Sequence, residues 1–269
     1  MKRGITIILM LVLCAGLVSA RMIFIGRPRS TATSYWTDTN SPSLLLLMET
    51  TNAIPQFIDT SIATNHFTRA GGQTQGIAGT NQYGRTEYCV NFDGTYDSRL
   101  FSVSETTGLT ATNDFTLIAY ARFARAEPTN TEVIFARYLS ATYNGRWGVW
   151  RGEATPWAVD CFLGDDASSQ ATVRLGMGSP GATNWHGYVV ERLGKTFNVY
   201  VDGVLTDTRT DADVRQLLAT TNTIGMTGLP TYQMCGDIDN VIIYAKALGS
   251  NAIYEATWKY FPTNSLAAR

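Results

Sequence analysis

Cysteine and histidine are scarce in this chain, numbering four and two among 269 residues. With only His66 and His186 and no Cys-x-x-Cys pair, a structural zinc site has almost no ligands to use. His186 reads as a hydrogen-bonded structural imidazole, and His66 has no acidic partner nearby in sequence. Cys14 falls in an N-terminal leader, described below, and leaves Cys89, Cys161 and Cys235. That odd number excludes a scaffold of paired disulfides. Each of the three sits in or beside an apolar run, where a thiol packs as a small hydrophobe. No basic block follows the N-terminus, and the formal net charge is −1. A polyphosphate backbone therefore finds no electrostatic footprint, and nucleic acid is set aside. The Gly-x-Ser-x-Gly elbow, the His-Glu-x-x-His pair and the Gly-x-x-x-x-Gly-Lys loop are also missing. With them go the nucleophilic, zinc-hydrolytic and phosphate-binding chemistries that they carry.

What is present suits strands. Hydrophobic residues make up 45% of the chain and aromatics 11%, with 24 glycines and recurrent Thr, a composition of strands joined by tight turns. The first twenty residues read as an export signal: Lys2 and Arg3, then apolar Ile5 to Val18, then Val18-Ser19-Ala20 as a small-residue cleavage site. Cleavage makes Arg21 the first mature residue and leaves no membrane segment. Ile5 to Ile25 reaches the roughly 20 apolar residues of a spanning helix only by including Arg21. Two alternatives stand beside this reading. Leu11-Val12-Leu13-Cys14 resembles a lipoprotein box, with Leu13 where a small residue belongs, and Met22 offers a second start.

Residues 21–42 form a polar Thr/Ser-rich linker, residues 43–262 a single domain, and residues 263–269 a C-terminal tail. Ser43 to Met48 has the apolar run of a strand covered on both faces, whereas Thr51 to Tyr83 reads as long loops with one short strand. Period-two alternation is clearest from Phe115 to Phe123. Further strands are predicted at 88–92, 133–138, 146–151, 158–163, 171–175, 185–192, 197–202, 204–208 and 237–244, with Asp202-Gly203 as a hairpin turn. The last of these is apolar on both faces, so each side needs a cover. Leu248 to Tyr260 alone has helical spacing, with Ser250 or Asn251 as N-cap and Ile253, Ala256, Thr257 and Tyr260 on one stripe. About a dozen strands and one terminal helix predict an all-β, antiparallel jelly-roll sandwich.

Four segments in order resemble the laminin-G-like jelly roll of the concanavalin A-like lectin/glucanase superfamily. They are Val90-Asn91-Phe92-Asp93-Gly94; Phe115 to Phe123; Trp185-His186 through Val189-Val190 to Tyr200-Val201-Asp202-Gly203; and Gly236-Asp237-Ile238-Asp239-Asn240-Val241-Ile242-Ile243-Tyr244 with Ala247-Leu248-Gly249-Ser250. In such a fold Trp185 is expected to fill sandwich core. Hydrolases of the superfamily carry paired carboxylates on alternate strand positions, yet no Glu here is followed two residues later by Asp. Glu132, Glu153 and Glu191 read as solvated surface charges, and no enzyme is expected. The resemblance further implies a structural calcium where the first and last strands meet, with Asp59, Asp237 and Asp239 as its ligands. It also places Cys89 near Cys235, where an exported chain would form a disulfide.

Sugar recognition needs aromatic rings beside amide, carboxylate or guanidinium groups. Tyr138, Tyr143, Asn144, Arg146, Trp147, Trp150 and Trp157 crowd one stretch of sequence. Alternation puts Trp147 and Trp150 on opposite faces of one strand, so one of them lies outside the core. Tyr143, Asn144, Arg146, Trp150 and Trp157 are the predicted ligand site. The resulting expectation is a secreted, non-catalytic module that binds a glycan or a surface protein. The alternative is a structural or adhesion protein of a bacteriophage virion or cell surface, with assembly partners in a larger particle. The early Leu45-Leu46-Leu47-Met48 strand, followed by Phe57 to Ser61 and Asn65-His66, is similar to phage-encoded members.

Overall fold

A computed structural model describes residues 44–46, 56–57, 67–70, 74–80, 86–95, 99–102, 112–138, 147–152, 158–164, 172–179, 183–211, 221–226 and 232–260. All belong to the compact unit spanning Asn40–Arg269. Its early strands are β1 (Leu44–Leu46), β2 (Gln56–Phe57), β3 (Phe67–Ala70), β4 (Thr74–Thr80), β5 (Thr86–Asp93) and β6 (Arg99–Ser102). The middle of the chain adds β7 (Phe115–Phe123), β8 (Glu132–Tyr138), β9 (Trp147–Arg151), β10 (Val159–Gly164) and β11 (Thr172–Gly176). Then come β12 (His186–Leu193), β13 (Thr196–Val201), β14 (Val204–Thr210), β15 (Thr221–Ile224), β16 (Cys235–Tyr244) and the helix α1 (Ser250–Tyr260).

Two antiparallel sheets form the sandwich. The front sheet runs β14-β13-β12-β7-β16-β5-β4, with β1 also pairing to β16. The back sheet runs β11-β10-β9-β8-β15-β6-β3-β2. The strand predicted over Phe115 to Phe123 is β7, residue for residue. Its odd-numbered side chains Phe115, Leu117, Ala119, Ala121 and Phe123 join the inter-sheet core with Tyr188, Val190, Trp147, Val149, Ile238, Val241 and Ile243. Phe115 stacks on Trp147 across the sheets, with ring centroids 4.9 Å apart.

The described residues of 51–83 form three strands, not one, and β6 and β15 were also unforeseen. Their sequences, such as Thr-Gln-Gly-Ile-Ala-Gly-Thr and Thr-Asn-Thr-Ile, carry too few large apolar residues for alternation to show. Asp202 and Gly203 both take positive φ, 51° and 77°, as a two-residue hairpin of the predicted kind requires.

β16 is covered on both faces. Val241 and Ile243 face the sandwich core, and Ile242 and Tyr244 on the other face are equally buried. The segment after β16 crosses the outside of the front sheet. There the Thr116 hydroxyl donates to the Lys246 carbonyl at 3.0 Å and accepts the Leu248 N–H at 3.1 Å. α1 follows with Ile253, Ala256 and Thr257 buried, as its spacing predicted. Its N-cap is Gly249, not Ser250 or Asn251, because the Gly249 carbonyl accepts the Ile253 N–H. At the sheet margins, β14 is exposed along nearly its whole length. One side chain ties it to the margin of the back sheet: the Asp207 carboxylate accepts the Gly176 N–H at 3.0 Å.

Trp185 lies outside the sandwich core, contrary to expectation. It immediately precedes the inward-facing His186 position, so alternation turns it to the outer face of the front sheet. There it stacks on Tyr120 at 4.8 Å, and the Arg122 guanidinium lies 5.0 Å from its ring. The expected Cys89–Cys235 bridge is ruled out by register. Cys235 stands opposite Asp93 and Ile238 opposite Val90, so the two cysteines lie four positions apart along the ladder. At roughly 3.3 Å per residue that exceeds the reach of a disulfide. Cys89, Cys161 and Cys235 are free thiols, and burial pushes the Cys161 thiol well above its ordinary range.

Candidate functional site

Trp150 is on the outer face of the back sheet, opposite in direction to Trp147, as alternation required. It faces away from the main core and forms a small cluster with Val133, Ala136 and the partly buried Tyr232. The Trp150 and Tyr232 rings are 6.0 Å apart and tilted at 58°. Trp150 itself is only 7% exposed, so Tyr232 is the ring that meets solvent.

Directly across from Trp150 in the ladder is Asp160, on β10. Burial raises its carboxyl above the usual range, and Arg174 only partly offsets this. The closest Arg174 nitrogen is 3.8 Å from Asp160 Oδ2, and the Arg174 side chain is 62% exposed. That separation is too long for a hydrogen bond. Two rings, a carboxylate and a guanidinium thus share one face with the polar pair loosely engaged. Sequence reasoning singled out Trp150 but missed Tyr232, Asp160 and Arg174. The register of β9 with β10 and β11 brings them together, and register is not legible from one strand.

Tyr143, Asn144, Arg146 and Trp157 lie outside the described residues. The described strands do fix where their segments depart. Residues 139–146 leave from the Tyr138/Trp147 end of β8 and β9, and residues 153–157 from the Arg151/Val159 end. These ends are separated by the length of β9, about 13 Å at 3.3 Å per residue. Only the Trp157 segment departs beside Trp150 and Asp160.

Of the residues expected to hold calcium, Asp237 is engaged in other bonds. Asp237 is 8% exposed; its Oδ2 accepts Arg122 Nε at 2.6 Å and its Oδ1 accepts Asn91 Nδ2 at 2.8 Å. A guanidinium already supplies positive charge there, so Asp237 does not fit a cation unless Arg122 moves away. Asp239 is wholly buried. The register of β16 against β7 shifts between Ile238 and Val241, and both flanking residues join the core, which leaves Asp239 and Asn240 as the bulge. Asp59 lies outside the described residues. Among those described, no three His, Cys, Asp or Glu residues gather as a metal site.

Glu132 and Glu191 are not solvated surface charges; they are 2% and 3% exposed. Glu132 lies opposite Arg151 on β9 and forms a close ion pair with it inside the sandwich. Burial pushes Glu132 upward, against the pull of Arg151 and Arg125. Glu191 accepts hydrogen bonds from Asn198, Tyr200 and Gly249. Glu132 is buried against guanidinium charge and Glu191 against three hydrogen-bond donors. Glu153 lies outside the described residues.

The chain belongs to the laminin G family of the concanavalin A-like lectin/glucanases superfamily, whose model matches residues 93–254. No curated protein matches it by sequence. Solved structures with the same fold include the binding domain of Paraclostridial Mosquitocidal Protein 1, at 11% identity and a TM-score of 0.63, covering 82% of this chain and 52% of that one. The binding domain of botulinum neurotoxin serotype G is similar at 10% identity and a TM-score of 0.60, covering 81% and 51%. This chain therefore spans about half the length of those toxin domains. Domain 4 of AbnA, an extracellular arabinanase from Geobacillus stearothermophilus solved with arabinotriose, is matched over 98% of its length and 81% of this chain, at 13% identity and a TM-score of 0.56.

Proposed function

We propose that this chain is a secreted, non-catalytic carbohydrate-binding module whose ligand lies across the outer face of the back sheet, over Tyr232, Asp160 and Arg174. The observation that carries the proposal is the loosely engaged Asp160 carboxylate. It is partly desolvated, 3.8 Å from Arg174, and opposite Trp150, which backs Tyr232. A sugar ring stacks on an aromatic face while its hydroxyls donate hydrogen bonds to a carboxylate and accept them from a guanidinium. A fold neighbour solved with arabinotriose and others that are binding domains support the reading. So does the employment of Glu132 and Glu191 in internal bonds, which leaves neither as an acid or nucleophile. Export rests on the apolar leader and the Val18-Ser19-Ala20 site.

The test is calorimetric titration with arabinotriose and a panel of neutral oligosaccharides. Tyr232→Ala and Asp160→Asn should each weaken the best ligand about tenfold, a loss of roughly 1.4 kcal/mol, with unchanged melting temperature. Absence of any glycan binding by the wild type rejects the function. Full binding by both variants rejects the site.

A further inference from the structure

At one end of the sandwich the interior is polar. His186 Nδ1 donates to Asp202 Oδ2 at 2.9 Å, and the second oxygen of Asp202 accepts the Gly187 N–H at 2.9 Å. In the neutral ring that tautomer leaves His186 Nε2 as an acceptor. The His186 ring meets Tyr188 edge-on at 6.3 Å, Tyr188 meets Phe123 at 6.4 Å, and the Arg151 guanidinium lies 4.1 Å from the Phe123 ring. Arg151 also pairs with Glu132 and donates to the carbonyls of Arg125 and Ala126. The Tyr188 hydroxyl is near enough to both ends of this chain of groups that Asp202 pushes its pKa up and Arg151 pulls it down, with burial the largest influence.

Three buried polar atoms here have no partner among the described residues, Arg151 Nε, His186 Nε2 and Tyr188 Oη, while Arg125 Nε and Glu132 Oε1 face each other as an ion pair at 3.8 Å. Glu132, Arg151 and Tyr188 are each at most 2% exposed. Buried polar groups are nearly always paired, so such a concentration points to a visiting partner. Two guanidiniums against two carboxylates leave no excess charge to hold an ion. The unpaired atoms are mixed donors and acceptors, which a group that both donates and accepts would satisfy. A hydroxyl is such a group.

We propose that this end of the sandwich is a second binding site, for the hydroxyl-bearing end of a neutral sugar or polyol, entered beside Arg125 and His186. Those side chains are the more open members of the group, 41% and 15% exposed. The site is separate from the outer-face platform and does not depend on it.

The chain has only two histidines, His66 and His186, so imidazole nitrogen-15 NMR reads the site directly. The probes are L-arabinose, D-glucose and glycerol as neutral hydroxyl compounds, with acetate and phosphate as anions. The expected result is a saturable shift of the His186 Nε2 signal with a neutral probe and none with the anions. Tyr188→Phe should raise the half-saturating concentration about tenfold, and Tyr232→Ala should leave it unchanged. Asp202→Asn serves as a second variant if Tyr188→Phe fails to fold, and should weaken the same response. A His186 signal that no neutral probe moves, or that only the anions move, overturns the proposal. So does a response that both Tyr188→Phe and Asp202→Asn leave intact.

Discussion

Glu191 Oε1 accepts the backbone N–H of Gly249 at 2.6 Å, joining the middle of β12 to the N-cap of α1. Its other oxygen accepts from the Tyr200 hydroxyl and Asn198 Nδ2, both at 3.0 Å. One carboxylate therefore fastens the terminal helix to the outside of the front sheet. Glu191→Ala would leave the Gly249 N–H and Tyr200 hydroxyl without this acceptor. At 1–3 kcal/mol for each of the two stranded groups, a loss of about 2–6 kcal/mol is expected in urea unfolding. Glu191→Gln, which keeps an acceptor, should cost no more than about half as much. Equal stability of the alanine variant and the wild type would show that the helix is fastened elsewhere.

The Glu132–Arg151 pair calls for a double-mutant cycle. Removing one member strands the other's charge in the interior, which typically costs about 3–5 kcal/mol. Glu132→Ala and Arg151→Ala should each lose that much. Glu132→Leu combined with Arg151→Met should recover most of it, since an apolar pair carries no desolvation penalty. Additive losses in the double variant would show that the two side chains act independently.

Alkaline unfolding follows from Tyr188 and Tyr200. Both phenols are raised above their ordinary value of 10.0, first by burial, then by Asp202 in one case and Glu191 in the other. A raised folded pKa gives stability that is complete below the unfolded value and is lost as pH climbs toward the folded one. Above pH 10, stability should fall by about 1.4 kcal/mol per pH unit for each ring. Tyr200→Phe should remove one ring's share of the slope. Chemical unfolding at a series of alkaline pH values measures it, and a slope unchanged by the substitution would contradict the assignment.

Chelation separates a metal from a guanidinium at the start of β16. With Arg122 bonded to Asp237, EDTA should leave the melting temperature unchanged, and Arg122→Ala should lower it. A fall on chelation would instead show that an ion is held, with Asp59 and Asp239 as the remaining candidate ligands. An ion present at a hundred times its Kd would stabilise by roughly 2.7 kcal/mol.

Much of the fold was legible because its central strands alternate cleanly. β7 was predicted to the residue, and Trp147 and Trp150 parted to opposite faces as period two demands. The marginal strands were missed where Gly, Thr and Asn replace large apolar side chains. Glu132 and Glu191 were misread because isolated glutamates look alike in sequence. What buries them is a partner across the ladder or on a distant loop, Arg151 for one and Gly249 for the other. Trp185 was misplaced because a large aromatic beside a strand says nothing of which face it takes until the strand's own alternation is fixed. The outer-face site was half visible: Trp150 could be singled out, but Asp160, Arg174 and Tyr232 reach it only through register and chain return.

The bond from Asp207 to the Gly176 N–H has a bearing on solubility. β14 is the last strand of its sheet, and an exposed strand margin is a template on which other chains add and aggregate. Val204 and Leu205, 46% and 50% exposed, would be the adhesive part of that margin. Asp207 places a negative charge in the middle of the strand and spends one of its oxygens closing the seam toward β11. Loss of that one side chain would open the margin to edge-to-edge addition, an effect felt in shelf life sooner than in melting temperature.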